Sequence, residues 1–132
     1  YGSQLEARLF ADLAPVVVEA AQEGDAIARR IVREAAAELA CLAAAALRRL
    51  DFTSASVPVA PIGGMFRAGP IILRPFAQRL RRLDPRARIV KPALPATCGS
   101  VILALRAAST LSDRVLQRLQ EQAQQRGWSH VE

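Results

Sequence analysis

The stretch Val57-Pro58-Val59-Ala60-Pro61-Ile62-Gly63-Gly64 decides the fold class of this chain of 132 residues. A short apolar run that stops at a glycine pair is typical of a buried strand that enters a tight loop. Pro58 and Pro61 count against this in part, because proline cannot donate a hydrogen bond to a neighbouring strand. The pattern therefore predicts a short strand over 57–62 with one impaired pairing.

Residues 3–23, ahead of this strand, are predicted to be helical in two pieces. Asp12 is expected to cap the second piece, which places Pro15 in the first turn, where proline is tolerated. Gly24 suits the end of the helix, because glycine tolerates a left-handed conformation there. The predicted apolar face of the first piece consists of Leu5, Leu9, Phe10 and Leu13.

A long helix over 26–49 is the clearest element of the sequence, and Asp25 is its expected N-cap. Past Leu39 this helix has no polar face, so its second half is expected to be buried on nearly all sides. Steps of three and four residues predict the following apolar stripe: Ala28, Ile31, Ala35, Leu39, Leu42, Ala46 and Leu50.

A helix and a second strand are predicted after the glycine pair. The helix begins at Gly69-Pro70, has a kink or a broken turn at Pro75, and ends at Asp84-Pro85. Its expected inward side chains are Ile72, Leu73, Phe76, Leu80 and Leu83. Residues 87–91 are expected to form the second strand.

Two further helices complete the predicted order. One covers 98–110, with Thr97 as its cap, and the other covers 113–126, with Ser112 as its cap. Strands that alternate with helices imply parallel pairing through right-handed crossovers. Two strands are too few to bury these helices, so the sequence predicts a piece of a larger α/β domain.

The net charge of +6 is unevenly distributed. Residues 1–50 hold six Arg and seven acids, whereas residues 51–132 hold eleven Arg, one Lys and five acids. The densest part is Arg79–Lys91, which could attract phosphate or nucleic acid. A solvated helix end in an arginine-rich chain explains it better, since no aromatic residues are interleaved with the cluster.

Composition excludes several other classes of protein. The longest apolar run, Leu39–Leu47, is far shorter than the roughly 20 residues that span a bilayer, and no signal peptide is visible. Cys41 and Cys98 have no metal-ligand spacing and only His130 to assist them, which argues against a zinc site. We expect a cytoplasmic chain with reduced cysteines.

Three blocks of the sequence resemble the bacterial N-acetylglucosamine kinase-like and BadF/BadG/BcrA/BcrD-type ATPases. Pro58–Phe76 is similar to the family's strand–Gly-Gly–helix segment, and Glu19–Ala35 is similar to the long helix before it. Leu94–Leu105 is similar to the family's closing loop and helix. The blocks occur in the family's order and cover about residues 5–108.

The resemblance implies an α/β fold, namely part of the ribonuclease-H-like lobe found in the actin, hexokinase and heat-shock-chaperone ATPases. This lobe would be rich in helix and contain a short pair of parallel strands. Residues 1–111 would be the C-terminal lobe, and 112–132 a helical extension and tail that is a candidate contact in a homodimer. ATP and Mg²⁺ are the implied cofactors, and an amino sugar is the implied acceptor. Gly63, Gly64 and Met65 would contact the adenosine of ATP through their backbone, with the loop at Gly99 near by.

The resemblance assigns no catalytic and no metal-binding residue here. The family's phosphate-gripping Asp-Gly-Gly-type loop, catalytic aspartate and sugar contacts belong to earlier sequence, so we expect this chain to be inactive alone. Its start at Tyr1, in a helical region, is consistent with a fragment. Pro61 departs from the family's aliphatic strand residue, which puts the local strand pairing in doubt.

Three alternatives stay open. A BadF-type activator of a reductase or dehydratase is a close variant, although such proteins use cysteines to hold an iron–sulfur cluster and no cluster motif surrounds Cys41 or Cys98. A basic nucleic-acid-binding module would use Arg79–Lys91 for phosphates. In a purely structural helical domain, the glycines would be turns only.

Overall fold

A computed structural model describes the backbone of residues 2–50 and 52–125, and the side chains of 12–50, 52–123 and 125. This part of the chain is mixed α/β, rich in helix, with a short parallel two-stranded sheet. The predicted order of helices and strands is confirmed. In chain order the elements are α1 (Gly2–Glu23), α2 (Ala26–Arg49), β1 (Val57–Val59), a 3₁₀ helix (Gly64–Ala68), α3 (Pro70–Leu83), β2 (Ala87–Ile89), α4 (Ala96–Ala107) and α5 (Asp113–Gln125).

Contacts divide the chain into two compact units. The first contains the described residues up to Val59 together with Gly63–Ile89, and the second contains Ala60–Ile62 and the described residues from Val90 onward. The first unit holds α1, α2, the 3₁₀ helix, α3 and the sheet. The boundary between 111 and 112 that the resemblance implies stays a prediction.

Helix α1 is one continuous helix, so the prediction of two pieces capped at Asp12 was wrong. Pro15 lies inside α1. A proline there removes a single backbone donor, and α1 keeps its packing against α2. Gly24, at φ +111°, ends the helix as predicted, and its amide donates to the carbonyl of Ala20 at 3.1 Å. The side chains of Leu5, Leu9 and Phe10 lie outside the described residues.

Helix α2 has the predicted bounds and the predicted cap. The carboxylate of Asp25 accepts a hydrogen bond from the amide of Ala28 at 2.7 Å. The predicted apolar stripe was wrong at four of its seven positions, because Ile31, Leu42, Ala46 and Leu50 are exposed, and the second half of the helix is therefore not buried on nearly all sides as predicted. The buried face lies one position further along and consists of Ala28, Val32, Ala36, Ala40, Ala44 and Leu47. Two adjacent faces of this helix have the same periodicity, and the alanine face allows the closer approach to α1 and α3.

The sheet is the parallel pair of β1 and β2, with Val57 opposite Ala87. These two side chains are buried, whereas the next pair, Pro58 and Arg88, is exposed. This alternation places one face of the sheet on the core, as expected for a period of two. The predicted strands 57–62 and 87–91 were too long: each pairs over three residues, and Pro61 could not donate to a longer ladder.

Helix α3 connects the two strands and provides much of the core. It begins at Pro70 and is capped at its end by Asp84, as predicted. The helix continues through Pro75, so no turn is broken there. Ile72, Phe76 and Leu80 are buried, and the predicted inward residues Leu73 and Leu83 are partly buried against the same core.

The second unit contains α4 and α5. Helix α4 begins at Ala96, so Thr97 lies inside its first turn and is not the cap that was predicted. Helix α5 begins at Asp113, and the carbonyl of Ser112 accepts from the amide of Val115 at 3.0 Å. The end of α5 that was predicted at 126, and the tail after it, lie outside the described residues.

Buried side chains in the second unit include Cys98 and Ala123. Cys98 is a free cysteine, as is Cys41 in the first unit. In the part of the chain that the structure describes, we find no helix with both the length and the apolar character needed to cross a membrane.

Candidate functional site

Gly63 lies after β1, at the beginning of the loop that the sequence singled out. Its backbone has φ +116° and ψ 171°, a region that essentially only glycine occupies. Its carbonyl accepts from the amide of Phe66 at 3.2 Å, which closes the first turn of the 3₁₀ helix. The conformation of the loop therefore requires glycine at position 63.

Gly64 has no such conformational requirement. It is absent from the glycines with positive φ, and a Cβ atom built on it would have no heavy atom within 4 Å. Gly64 is also exposed. Neither backbone strain nor crowding within the described residues explains a glycine at this position, so the space beside it is open to a ligand.

Met65 presents its backbone and its side chain to different surroundings. Its side chain is partly buried against the core of the first unit. The amides of Gly64 and Met65 donate to no acceptor in the described part of the chain. Two successive amides without an internal acceptor are suited to a polar or anionic ligand atom.

The 3₁₀ helix is held in place by an aromatic contact. The rings of Phe66 and Phe76 meet edge to face, with centroids 5.0 Å apart and planes at 73°. Phe76 is buried in α3, and such aromatic pairs add about 0.5–1.5 kcal/mol beyond their buried area. The core thus positions the loop from Gly63 to Met65.

Gly99 lies within the helix that was predicted over 98–110, and not in the loop that the resemblance implies. The segment 97–99 is the first turn of α4 and not a loop. The amide of Gly99 donates to the carbonyl of Pro95 at 3.2 Å, so it is used within the helix. Gly63, Gly64 and Met65 belong to the first unit and Gly99 to the second. Gly63, Gly64 and Met65 are brought together within the first unit.

Asp84 is a buried carboxylate with a structural role. Arg86 donates to both of its oxygens, from Nε to Oδ1 at 3.0 Å and from Nη2 to Oδ2 at 2.9 Å. This hydrogen-bonded guanidinium is the main reason that the pKa of Asp84 lies below its ordinary value, and burial opposes the shift. Arg86 also donates to the carbonyl of Phe52 at 2.7 Å, which ties β2 to the segment before β1.

The loop from Gly63 to Met65 supplies no carboxylate or hydroxyl group, the ligands that Mg²⁺ prefers. Elsewhere in the described residues, no group of three or more His, Cys, Asp or Glu side chains is placed to hold a metal ion. Residues of this loop can therefore contact a nucleotide through backbone groups.

Sequence reasoning missed a second feature of the first unit. Arg29 and Arg33 of α2 and Arg74 of α3 line one groove, although the sequence analysis concentrated on Arg79–Lys91. Of that cluster, Arg86 is bound to Asp84. The available signal was the spacing of four residues between Arg29 and Arg33, which places both on one side of a helix.

Comparisons of this chain with protein-family models, with curated proteins and with solved structures found no match.

Proposed function

We propose that this chain is the nucleotide-binding C-terminal lobe of an ATP-dependent sugar kinase, acting on N-acetylglucosamine or a related amino sugar as part of a longer protein. Gly63, Gly64 and Met65 would lie against the adenosine of ATP. The proposal combines the resemblance of three sequence blocks with the geometry of this loop. Fold resemblance alone does not determine function, so the loop has to carry the argument.

The observation that carries the proposal is Gly64. Glycine in an ordered segment costs stability relative to alanine, because it loses more conformational freedom on folding. Gly63 has a conformational reason to be glycine, because alanine resists its φ of +116°. Gly64 has no such reason, and a Cβ atom built on it would meet nothing within 4 Å. A ligand surface that passes close to the backbone is a physical reason for a glycine at this position.

The position of the loop supports the same proposal. In open α/β sheets, ligands bind beyond the carboxyl ends of the strands, and Gly63 follows β1 after a three-residue connection. The free amides of Gly64 and Met65 would donate to polar atoms of the nucleotide. Phosphoryl transfer also needs a positioned base and metal-shielded phosphates, and we assign neither to residues of this chain.

Calorimetric titration with ATP and with adenosine tests the proposal. The unmodified chain should bind both, because the proposed contact is to adenosine. Gly64→Val should lower the affinity for adenosine by about tenfold or more, since a branched side chain fills the space beside the backbone. Ala55→Val is the matched control, at an exposed position of the connection before β1, and should bind like the unmodified chain.

Duplex DNA at two salt concentrations provides the opposing measurement. A basic nucleic-acid-binding module would show affinity that falls steeply with salt, because binding releases counterions. Salt-dependent DNA binding without nucleotide binding would contradict the kinase proposal. If Gly64→Val and the unmodified chain bound adenosine with equal affinity, the loop from Gly63 to Met65 would not contact adenosine.

A further inference from the structure

The helices α2 and α3 form an open groove of about 360 Å³ on the first unit. Three of its lining residues are arginines, and none is acidic. The full lining consists of Arg29, Arg33, Pro70, Ile71, Arg74, Pro75 and Gln78. The groove therefore concentrates three positive charges against a partly apolar wall.

Arg29 is held in place from one side only. Its Nε donates to the carbonyl of Ala21, near the end of α1, at 3.0 Å. Cationic side chains commonly satisfy helix C-terminal carbonyls in this way. Since a guanidinium carries five N–H donors, those at its other end are left for a ligand.

Arg33 and Arg74 have no hydrogen bond or ion pair within the described residues. The neighbouring acidic side chain of Glu34 pairs with Arg30, at 3.7 Å. No carboxylate of the described part therefore neutralises the two arginines. Like charges gathered without counter-charges raise the local potential and attract anions.

We propose that this groove binds a small ligand that carries a diphosphate group. A phosphate monoester carries a charge of about −1.5 to −2 near neutral pH, so a single phosphate leaves part of the charge of three guanidinium groups unbalanced. Two linked phosphoryl groups match that charge better. Planar guanidinium groups also bind phosphate oxygens in pairs, which gives geometric selectivity.

The remaining lining residues complete the site. Pro70, Ile71 and Pro75 provide an apolar wall for the organic part of the ligand. The amide of Gln78 can both donate and accept hydrogen bonds. Arg74 and Gln78 are four residues apart on α3, as Arg29 and Arg33 are on α2, so each helix presents two polar groups on one side.

This site is separate from the proposed adenosine contact and does not depend on it. None of its lining residues belongs to the Gly63–Met65 loop. The two are distinguished by their ligands, because adenosine has no phosphate and inorganic pyrophosphate has no base. If adenosine does not bind, the groove proposal still stands, and if pyrophosphate does not bind, the adenosine proposal still stands.

Titration with inorganic pyrophosphate, followed by calorimetry, tests the groove. Arg33→Gln and Arg74→Gln should each weaken binding by about tenfold or more, as expected for the loss of a charge-assisted hydrogen bond. Arg79→Gln and Arg82→Gln, at exposed positions of α3 outside the groove, are matched controls and should bind pyrophosphate like the unmodified chain. Circular dichroism melts would confirm that all four variants fold.

Inorganic phosphate, adenosine diphosphate and duplex DNA distinguish the sources of the phosphate. The proposal requires pyrophosphate to bind more tightly than inorganic phosphate, with the loss of affinity confined to Arg33→Gln and Arg74→Gln. For adenosine diphosphate, whose adenosine could also bind at the Gly63–Met65 loop, only the difference between the groove and control variants is used. Equal losses in the groove and control variants would show general attraction to a basic surface and overturn it. Failure of pyrophosphate to bind, or groove-dependent binding of DNA alone, would also overturn it.

Discussion

The two units of this chain bury their apolar side chains to different extents. In the first, α2 and α3 pack so closely that Ala36, Ala40, Ile72 and Leu80 have no exposed surface. In the second, the buried apolar side chains include Cys98 and Ala123, and Leu103 of α4 is 67% exposed, as is Leu42 of α2 in the first unit. Apolar composition alone therefore does not produce a core. The first unit forms a core because one face of α2 and one face of α3 are covered by other elements, even though Leu42, on another face of α2, is exposed.

The polar interactions differ in the same way. The first unit contains hydrogen bonds between separate segments, from Arg29 Nε to the carbonyl of Ala21 and from Arg86 Nη1 to the carbonyl of Phe52. Hydrogen bonds of side chains in the second unit include that of Ser100 to the carbonyl of Ala96, within one helix. We therefore expect mutations to have larger effects on stability in the first unit.

The largest expected effect comes from leucine truncation in the core. Leu80→Ala should lower the free energy of unfolding by about 2–5 kcal/mol, because it removes a fully buried side chain and leaves a cavity. Leu103→Ala removes the same atoms from an exposed helical position and should change stability by about 0.5 kcal/mol or less. Guanidinium denaturation of the two variants measures both values. Comparable losses would contradict the contrast between the units.

Alanine at two glycine positions should give effects of opposite sign. Gly63→Ala should destabilise the first unit by about 1–3 kcal/mol, because alanine resists the backbone conformation of position 63. Gly99→Ala should stabilise α4 by about 0.5–1 kcal/mol, because a Cβ atom there meets nothing within 4 Å and the helix favours alanine. Thermal melts followed by circular dichroism measure both. A stabilised Gly63→Ala variant would show that the loop relaxes.

The smallest expected effect is the pH-dependent contribution of Asp84. Its partner Arg86 is 39% exposed, so water screens the pair. Because the folded-state pKa of Asp84 is lowered, its contribution is present above the ordinary value of 3.8 and is lost as the pH falls through the lower, folded-state pKa. Asp84→Asn should therefore be less stable than the unmodified chain at neutral pH, and this difference should shrink in acid.

Unfolding curves at neutral pH and below pH 3.8 measure how much the stability difference between Asp84→Asn and the unmodified chain decreases. Glu38→Gln removes a carboxylate from an exposed position of α2 and is the matched control. If the loss of stability in Asp84→Asn were the same at every pH, the charge of Asp84 would not contribute to stability.

Local signals in the sequence were sufficient for most of the elements. Asp25 and Gly24 predicted the boundary between α1 and α2, because capping and left-handed conformations depend on a few adjacent residues. Gly69-Pro70 and Asp84-Pro85 predicted the bounds of α3 for the same reason. The short apolar run before Gly63 predicted a strand, although proline shortened it.

Signals that depend on distant residues were not sufficient. Ile31 and Leu42 fit the period of a buried stripe as well as Val32 and Ala40 do, and only the position of α3 decides between the two faces. The groove was missed for the same reason, since Arg74 is far along the chain from Arg29 and Arg33. The resemblance placed Gly99 in or beside a loop, whereas the residue pattern placed it in the helix over 98–110, and α4 uses its amide.

By itself, the sequence determined the order of helices and strands, the caps at Asp25 and Gly24, and the glycine pair after the first strand. Each of these depends on backbone preferences that act within a few residues. Tertiary structure alone decided which face of α2 is buried, that Gly64 lies in open space, and that three arginines share one groove. The buried face of α2 and the groove depend on how closely α2 and α3 approach, and packing between segments far apart in the chain sets that distance.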